Sequence, residues 1–402
     1  MVTNEALLVL TNNLVFARNV NRKYDNYFGQ SGAKIGAQVS VRKPPRYVGR
    51  RGQGLKVEGI VESAVTVTLS TQYGCDIEVS TADMLLSIDE FSDRILHPQV
   101  ATVANMIDFD GTGLYNTIPD FVGTPGTVPG ASAGTAALVF LNAGVALDNN
   151  AAPNDGLRRA YVTPQMQAYL VNDLKGLFQS ATKIKEQYEK GEMGTAFGLD
   201  FSMDQNMRTH TIGTFTGTPT MNATAGQTGS SLLTTAWTSG DTLNVGDIIT
   251  IDGVYKINPQ SRQVVNQLQP FVVTAPMVAA ADTTATIQIY PPIVPPVNGL
   301  SVQGQTVSAA PGATAAIHVW GATATVTPQG LVCHRDAFTF ASADLPLPNG
   351  VHAAYRISDD ESGISIRAIQ AYDIQTDQMP LRLDVLGGWA TLRNELACRA
   401  AS

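Results

Sequence analysis

Apolar and polar residues alternate with a period of two at both ends of the chain. Ala37-Gln-Val-Ser-Val41, Val65-Thr-Val-Thr-Leu69 and Ile77-Glu-Val79 read as half-buried strands near the start. Ile364-Ser-Ile-Arg-Ala-Ile-Gln-Ala-Tyr-Asp373, Leu381-Arg-Leu-Asp-Val-Leu-Gly-Gly-Trp389 and Arg393-Asn-Glu-Leu-Ala-Cys-Arg399 read the same way near the end. Helical spacing lies between. Residues 4–28 suggest a helix followed by an irregular arm, apolar at Leu7, Leu8, Val15 and Phe16 and basic at Arg18, Arg22 and Lys23. Ser87-Ile-Asp-Glu90 has the form of a capping box before a short helix ending at Leu96. Pro98 suits the first turn of a new helix, and Val100, Val103, Ala104 and Ile107 extend it to about Leu114. Residues 135–147 form another helix. After a loop at 149–156, Arg159–Val162 predicts a strand. Thr163 then caps a helix with Pro164 at its first position and a stripe of Met166, Tyr169, Leu170, Leu174 and Leu177.

From Thr214 the pattern changes. Over residues 214–326 the only charged groups are Asp241, Asp247, Asp252, Lys256, Arg262 and Asp282. Short apolar runs, Ile248–Ile251, Phe271–Thr274, Thr286–Tyr290 and Ile317–Trp320, are separated by turn residues, as in a small sandwich or barrel. Asp252-Gly253 between apolar residues predicts a tight hairpin turn. The segment reads as a self-contained β insert that folds alone.

Between the first two strands, residues 42–56 hold six basic residues, Arg42, Lys43, Arg46, Arg50, Arg51 and Lys56, and no acid. Pro44, Pro45 and the glycines at 49, 52 and 54 argue against a compact local fold. The stretch reads as a two-stranded projection with a basic, unpaired tip, which a neighbouring molecule would order. Nucleic-acid phosphates or acidic patches of neighbouring subunits would suit those charges. Tyr47 is the one aromatic residue there to stack a base, so subunit contact by these six residues is the expectation.

The 402 residues are 44% hydrophobic and only 15% charged, which suggests that much of the surface is covered by other protein. A net charge of −8 argues against whole-chain affinity for nucleic acid. Cys75, Cys333 and Cys398 are odd in number and widely spaced, which suggests free thiols in a reducing cytoplasm and offers no metal pair. The start lacks the layout of a secretory signal, and no run of about 18 apolar residues predicts a membrane span.

Asp108-Phe-Asp110-Gly111-Thr112 looks like the D-x-D-G-T signature of magnesium-dependent phosphatases, in which the first Asp attacks phosphorus. That motif should follow a buried strand, and here the preceding residues read as helix. The expectation is a solvent-facing helix end, with Gly111 and Gly113 supplying left-handed backbone. His97, His210, His318, His334 and His352 are scattered without metal-ligand spacing, and no G-x-S-x-G or Walker motif occurs. No catalytic, cofactor-binding or metal residue is assigned, and the chain reads as a non-enzyme. The alternatives are a tail, fibre or adhesin protein and, less favoured, the phosphatase.

The order of parts resembles that of tailed-bacteriophage coat proteins with the HK97-type fold, most closely the P22-like branch. The likeness rests on the layout and on diffuse phrases. Leu243-Asn-Val-Gly-Asp-Ile-Ile-Thr-Ile-Asp-Gly-Val254 is similar to the opening of that branch's insertion domain. Asp89–Pro98, Leu331–Phe338 and Arg382–Trp389 resemble flanking segments. The resemblance implies an α+β fold with an N-terminal arm (1–33), an extended loop (34–79), a spine helix and peripheral domain (80–125) and an axial domain (126–213). An all-β insertion domain (214–327) and a return through axial and peripheral strands (328–402) complete it. It also implies a major capsid protein of the virion, assembled in the host cytoplasm as hexamers and pentamers of an icosahedral shell around double-stranded DNA. Scaffolding and portal proteins are the implied partners, with a decoration protein as a further one and no membrane. Some relatives form a Lys–Asn crosslink. Lys34, Lys43 and Lys56 lie in the hairpin region, no partner is identified, and the crosslink is not carried over.

Overall fold

The computed structural model describes residues 2–22, 38–50, 52–55, 57–60, 62–80, 92–127, 135–174, 194–222, 226–298, 300–358, 363–373 and 378–401. The capping box at Ser87–Glu90, Lys34 and Leu177 fall outside these residues. The fold is mixed α+β, and the chain divides into two compact units.

The first unit comprises Met1–Lys43, Ala64–Thr112 and Phe338–Leu392. Its centre is the strand Gln378–Thr391, which is long enough to serve several partners. Thr71–Ser80 pairs along it from Thr71 opposite Gly387 to Ser80 opposite Gln378. Phe338–Ala343 pairs with its last residues, Ser365–Gln370 with its middle, and Ala353–Ser358 adds the edge. The hairpin stems Gln38–Lys43 and Ser63–Thr68 pair with each other as expected. Their inward residues Val39 and Val67 share a core with Leu69, Ala341, Leu345 and Leu386.

The helix His97–Thr112 has Pro98 in its first turn, where its missing N–H is harmless. Val100, Val103, Ala104 and Ile107 are buried, as their spacing predicts. Its end differs from expectation. Asp108 is 1% exposed, not solvent-facing. Its carboxylate accepts the N–H groups of Val15 (2.7 Å), Phe16 (3.2 Å) and Ala17 (2.9 Å), so the N-terminal segment is tied to the helix by main-chain hydrogen bonds. Gly111 and Gly113 are not left-handed. What Gly111 provides is room. A Cβ there would lie 2.5 Å from Trp389 and 2.8 Å from Phe16, whose rings stack with centroids 5.3 Å apart.

The buried Asp384 accepts Arg367 at 2.6 Å and Arg382 at 2.9 Å. Burial opposes its ionisation, but hydrogen bonds from Arg367, Gln72 and Arg382 win and hold the carboxyl below the usual range.

The second unit comprises Pro44–Ser63, Gly113–Ala337 and Arg393–Ser402. Among its described residues a seven-stranded mixed sheet runs in the order Phe121–Val122, Ala397–Ala401, Val326–His334, Arg158–Val162, Leu199–Met203 and Thr195–Ala196, with Thr209–Thr211 also on Val326–His334. The helices Thr135–Asn149 and Pro164–Leu174 belong to this region. Thr163 caps the latter through its hydroxyl, which accepts Met166 N–H at 3.2 Å.

The segment after Thr214 builds its own six-stranded sheet and its own core, including Trp237, Ile249, Ile251, Phe271, Ile287 and Ile289. The predicted strands are present, but Asp252-Gly253 is not the hairpin turn. The strand Ile248–Ile257 continues through it, with a register break between Thr250 and Tyr255. A third strand competes for this site, since Asp252 N–H donates to Ala316 C=O at 3.0 Å. The chain reverses at Asn258–Gln263 instead, closed by Asn258 N–H to Gln263 C=O at 3.0 Å.

Two stability results are expected. In urea, Asp108→Asn should cost about 1–2 kcal/mol, because an amide oxygen keeps part of the N–H set. Gly111→Val should cost about 3 kcal/mol through overpacking. An unchanged midpoint for either variant contradicts the assigned contacts. The lowered Asp384 carboxyl adds stability that is complete above its unfolded value of about 3.9 and is lost as pH falls through its lower folded value. Asp384→Asn should therefore be less stable near neutrality by about 3–5 kcal/mol and show a flatter acid limb than wild type. Parallel acid profiles would rule the linkage out.

Candidate assembly surface

The six basic residues do not form one cluster. Arg42 and Lys43 end the first stem strand. Arg46 is drawn to its own chain, donating to Glu395 at 2.6 Å, and Arg393 joins the same carboxylate at 3.2 Å. The tip is therefore not wholly unpaired as its composition suggested. Arg50 donates to the carbonyl of Gly52 within the loop. Arg51 and Lys56 lie outside the described residues. The sequence reading missed the loop's apolar character. Leu55, Val57 and Ile60 are 84, 81 and 69% exposed. Their grouping in a segment with little secondary structure was the available signal.

Two buried polar joints connect the 214–326 segment to the seven-stranded sheet region. In one, Lys256 of the insert forms an ion pair with Asp120, and both side chains are almost wholly buried. Asn150 Nδ2 donates to the second Asp120 oxygen at 2.6 Å and to Glu395 C=O at 2.8 Å. In the other, His210 Nε2 meets Asp247 at 2.8 Å, and its Nδ1 meets the Tyr115 hydroxyl at 3.1 Å. Asp247 also accepts N–H groups of Asn244 (2.7 Å) and Gly213 (3.1 Å).

Arg399, fully buried, lies beside the second joint. It donates to Gln329 Oε1 at 3.0 Å and to Gly246 C=O, with its guanidinium 5.0 Å from the Tyr115 ring centroid. Burial pulls Arg399 down to about 10, opposed by its neighbours Tyr115, Asp247 and Cys398, so it stays protonated at neutral pH. Burial also raises the Tyr115 phenol, opposed by Arg399 and Arg208.

The chemistry open to these groups is limited. His210 and Asp247 have the makings of an acid–base pair, but both ring nitrogens are engaged, Nε2 by Asp247 and Nδ1 by the Tyr115 hydroxyl, whose ionisation burial opposes. The Asp108 carboxylate is enclosed by three backbone donors, and Asp110 accepts the Tyr73 hydroxyl at 3.1 Å. Cys333 and Cys398 are buried free thiols. Burial pushes Cys333 up to about 12 and Cys398 higher, so neither is a ready nucleophile. Among the described residues no group of three or more His, Cys, Asp or Glu side chains could hold a metal. No described helix is long and apolar enough to cross a membrane.

No curated protein matches this chain. Among solved structures it is similar to one described as Mycobacterium phage Che8, at 12% identity over 96% of this chain and 90% of that one, with a TM-score of 0.46. It is also similar to the capsid of the cyanophage P-SCSP1u, at 11% identity over 92 and 84%, with a TM-score of 0.41. A third, the mature capsid of bacteriophage PhiM1, shares 12% identity over 91 and 82%, with a TM-score of 0.36. These likenesses are distant, and the assignment rests instead on the family model described as P22 coat protein, gene protein 5, which matches residues 1–399. That match runs over nearly the whole length: the chain belongs to the P22 coat protein family and is a major capsid protein of a tailed phage.

Proposed function

We propose that this major capsid protein works by assembly alone, with hexamers and pentamers of the chain closing into an icosahedral shell around double-stranded DNA. The observation that carries this reading is the helix Thr135–Asn149. Ala136, Phe140, Ala143 and Leu147 are buried, and the helix packs on the strands Ala397–Ala401, Phe121–Val122 and Val326–His334. Leu138, Leu141 and Val145, spaced for one face of the same helix, are 54, 44 and 55% exposed. A helix that is apolar on two faces belongs between two partners. The subunit supplies one, and membership of a capsid family makes a second copy the other. Contacts repeated around a ring are heterologous and close when the rotation closes.

The second contact is the hairpin, with Arg42, Lys43, Arg50, Arg51 and Lys56 directed to acidic patches of neighbours, its exposed apolar residues buried on them, and Arg46, the sixth basic residue, kept by Glu395 of its own chain. Scaffolding and portal proteins, and a decoration protein, are further partners of such a shell, and assembly belongs in the host cytoplasm. The domain plan remains arm 1–33, loop 34–79, peripheral 80–125, axial 126–213, insertion 214–327 and return 328–402. The non-catalytic part of the reading is supported by the structural engagement of Asp108, Asp247 and His210.

Leu141→Asp combined with Val145→Asp should leave the subunit folded, with stability within about 0.5 kcal/mol of wild type, while closed particles disappear from electron micrographs. Normal particles in normal yield would contradict the helix contact. Arg50→Glu with Arg51→Glu should weaken particles without changing the circular dichroism of the subunit, and particles with wild-type heat resistance would argue against the hairpin contact.

A further inference from the structure

The hairpin segment Pro44–Ser63 is held at some residues and bare at others. Leu55, Val57 and Ile60 are exposed. Its base is held on its own subunit. Arg46 reaches Glu395, and Val48 N–H donates to Glu58 at 2.8 Å, folding the segment across itself.

Glu395 is a firm post. It lies in the short 3-10 turn Asn394–Leu396, where the neighbouring Asn394 is buried and donates to Thr117 C=O at 2.7 Å. The Glu395 carbonyl takes Asn150, which also holds Asp120, the partner of the buried Lys256. The ionic joint in the interior thus fixes the backbone of the residue that holds the loop.

The insert contributes a second element. Arg262 sits in the turn after the strand Ile248–Ile257 with a φ of 58°, a left-handed conformation uncommon for a residue with a side chain. Asn258 stiffens that turn, accepting the N–H groups of Gln260 and Ser261 at 2.9 Å and donating to Asn149 C=O at 3.0 Å. The Nε and Nη2 atoms of Arg262 are buried without a hydrogen-bond partner. Burial and then the Arg46 charge lower its guanidinium, while Glu58 opposes them.

A loop held through Arg46 with apolar side chains in water is not hidden from partners. It is set out for one, and the ordering cost of binding is reduced in advance. We infer that Glu395 is a positioning residue that pins the base of the Pro44–Ser63 segment through Arg46 and so presents Leu55, Val57 and Ile60 to a second copy of the chain. This rests on the reading of the hairpin as a subunit contact, and it adds that the contact is preorganised within each subunit before assembly.

The test uses the full-length chain kept unassembled at low concentration, with amide hydrogen exchange as the first readout and light scattering during assembly as the second. Glu395→Gln and Arg46→Gln should each speed exchange over residues 44–60 by about two- to fivefold, the factor a half-exposed ion pair supplies. The double variant should be no faster than Glu395→Gln alone, which already removes the Arg46 contact together with that of Arg393. Exchange in the strand Ala397–Ala401 should not change, which reports that the fold is intact. Shell formation should slow in the same variants. Unchanged loop exchange in Glu395→Gln, or additive effects in the double variant, would overturn the pinning. Faster loop exchange with wild-type assembly would overturn its role in presentation. Leu55→Asp separates this from the underlying reading: normal assembly of that variant removes the tip as a contact, whereas the exchange result for Glu395→Gln still stands or falls by itself.

Discussion

The second unit depends on charges removed from water at two places. The 214–326 segment has six charged residues, of which Asp241, Asp247 and Lys256 are buried; Asp241 accepts the N–H groups of Thr216, Gly217 and Thr238 from the segment itself, which leaves Asp247 and Lys256. Neither is satisfied by the insert alone. Asp247 meets His210, and Lys256 meets Asp120. Desolvating an ion pair takes back much of its attraction, so such pairs add little net stability, but losing one partner strands a buried charge at a cost of about 3–5 kcal/mol. That asymmetry makes the joints selective, because other placements of the insert would leave the charges unpaired. Arg399 reinforces the arrangement by binding Gly246 beside Asp247 and Gln329 on the adjacent strand.

A coat subunit needs this stiffness. Its output is a shape repeated many times, and small errors in the placement of contact surfaces accumulate around a ring. The Lys256–Asp120 joint continues through Asn150 to the main chain of Glu395, and from the Glu395 side chain to Arg46 in the loop. The Asp247 joint fixes the other end of the same insert. Buried charges such as Asp120, Asp247, Lys256 and Arg399 serve as internal geometry, while the apolar residues Leu138, Leu141 and Val145 on the helix and Leu55, Val57 and Ile60 on the loop are exposed, which is the basis for proposing them as contact surface.

Much of the local structure was legible. Period-two alternation located the hairpin stems and the long strand Gln378–Thr391, Pro98 marked the first turn of the long helix, and Thr163 caps the helix that follows it. These signals are carried by neighbours in sequence. What could not be read depends on distant partners. Asp108 bonds to residues 91–93 positions away, Lys256 to one 136 away and Arg46 to one 349 away. No spacing rule links such pairs. Asp252-Gly253 misled because the turn chemistry of the dipeptide takes no account of a third strand, which claims the Asp252 N–H. The helix Thr135–Asn149 was recognised as a helix, but its apolar residues on two faces gave no indication of which face the subunit buries. The six basic residues of the hairpin were visible as charge, and the sequence did not show that Arg46 already has Glu395.

The central claim is that the subunit withholds apolar surface from its own core for use between copies. A cryo-electron microscopy reconstruction of the particle formed by the purified chain tests it most directly. The account predicts a closed shell of hexamers and pentamers in which Leu138, Leu141 and Val145 of each subunit are covered by the neighbouring copy. A closed shell with that helix face open to solvent, or an open fibre in place of a shell, would contradict it.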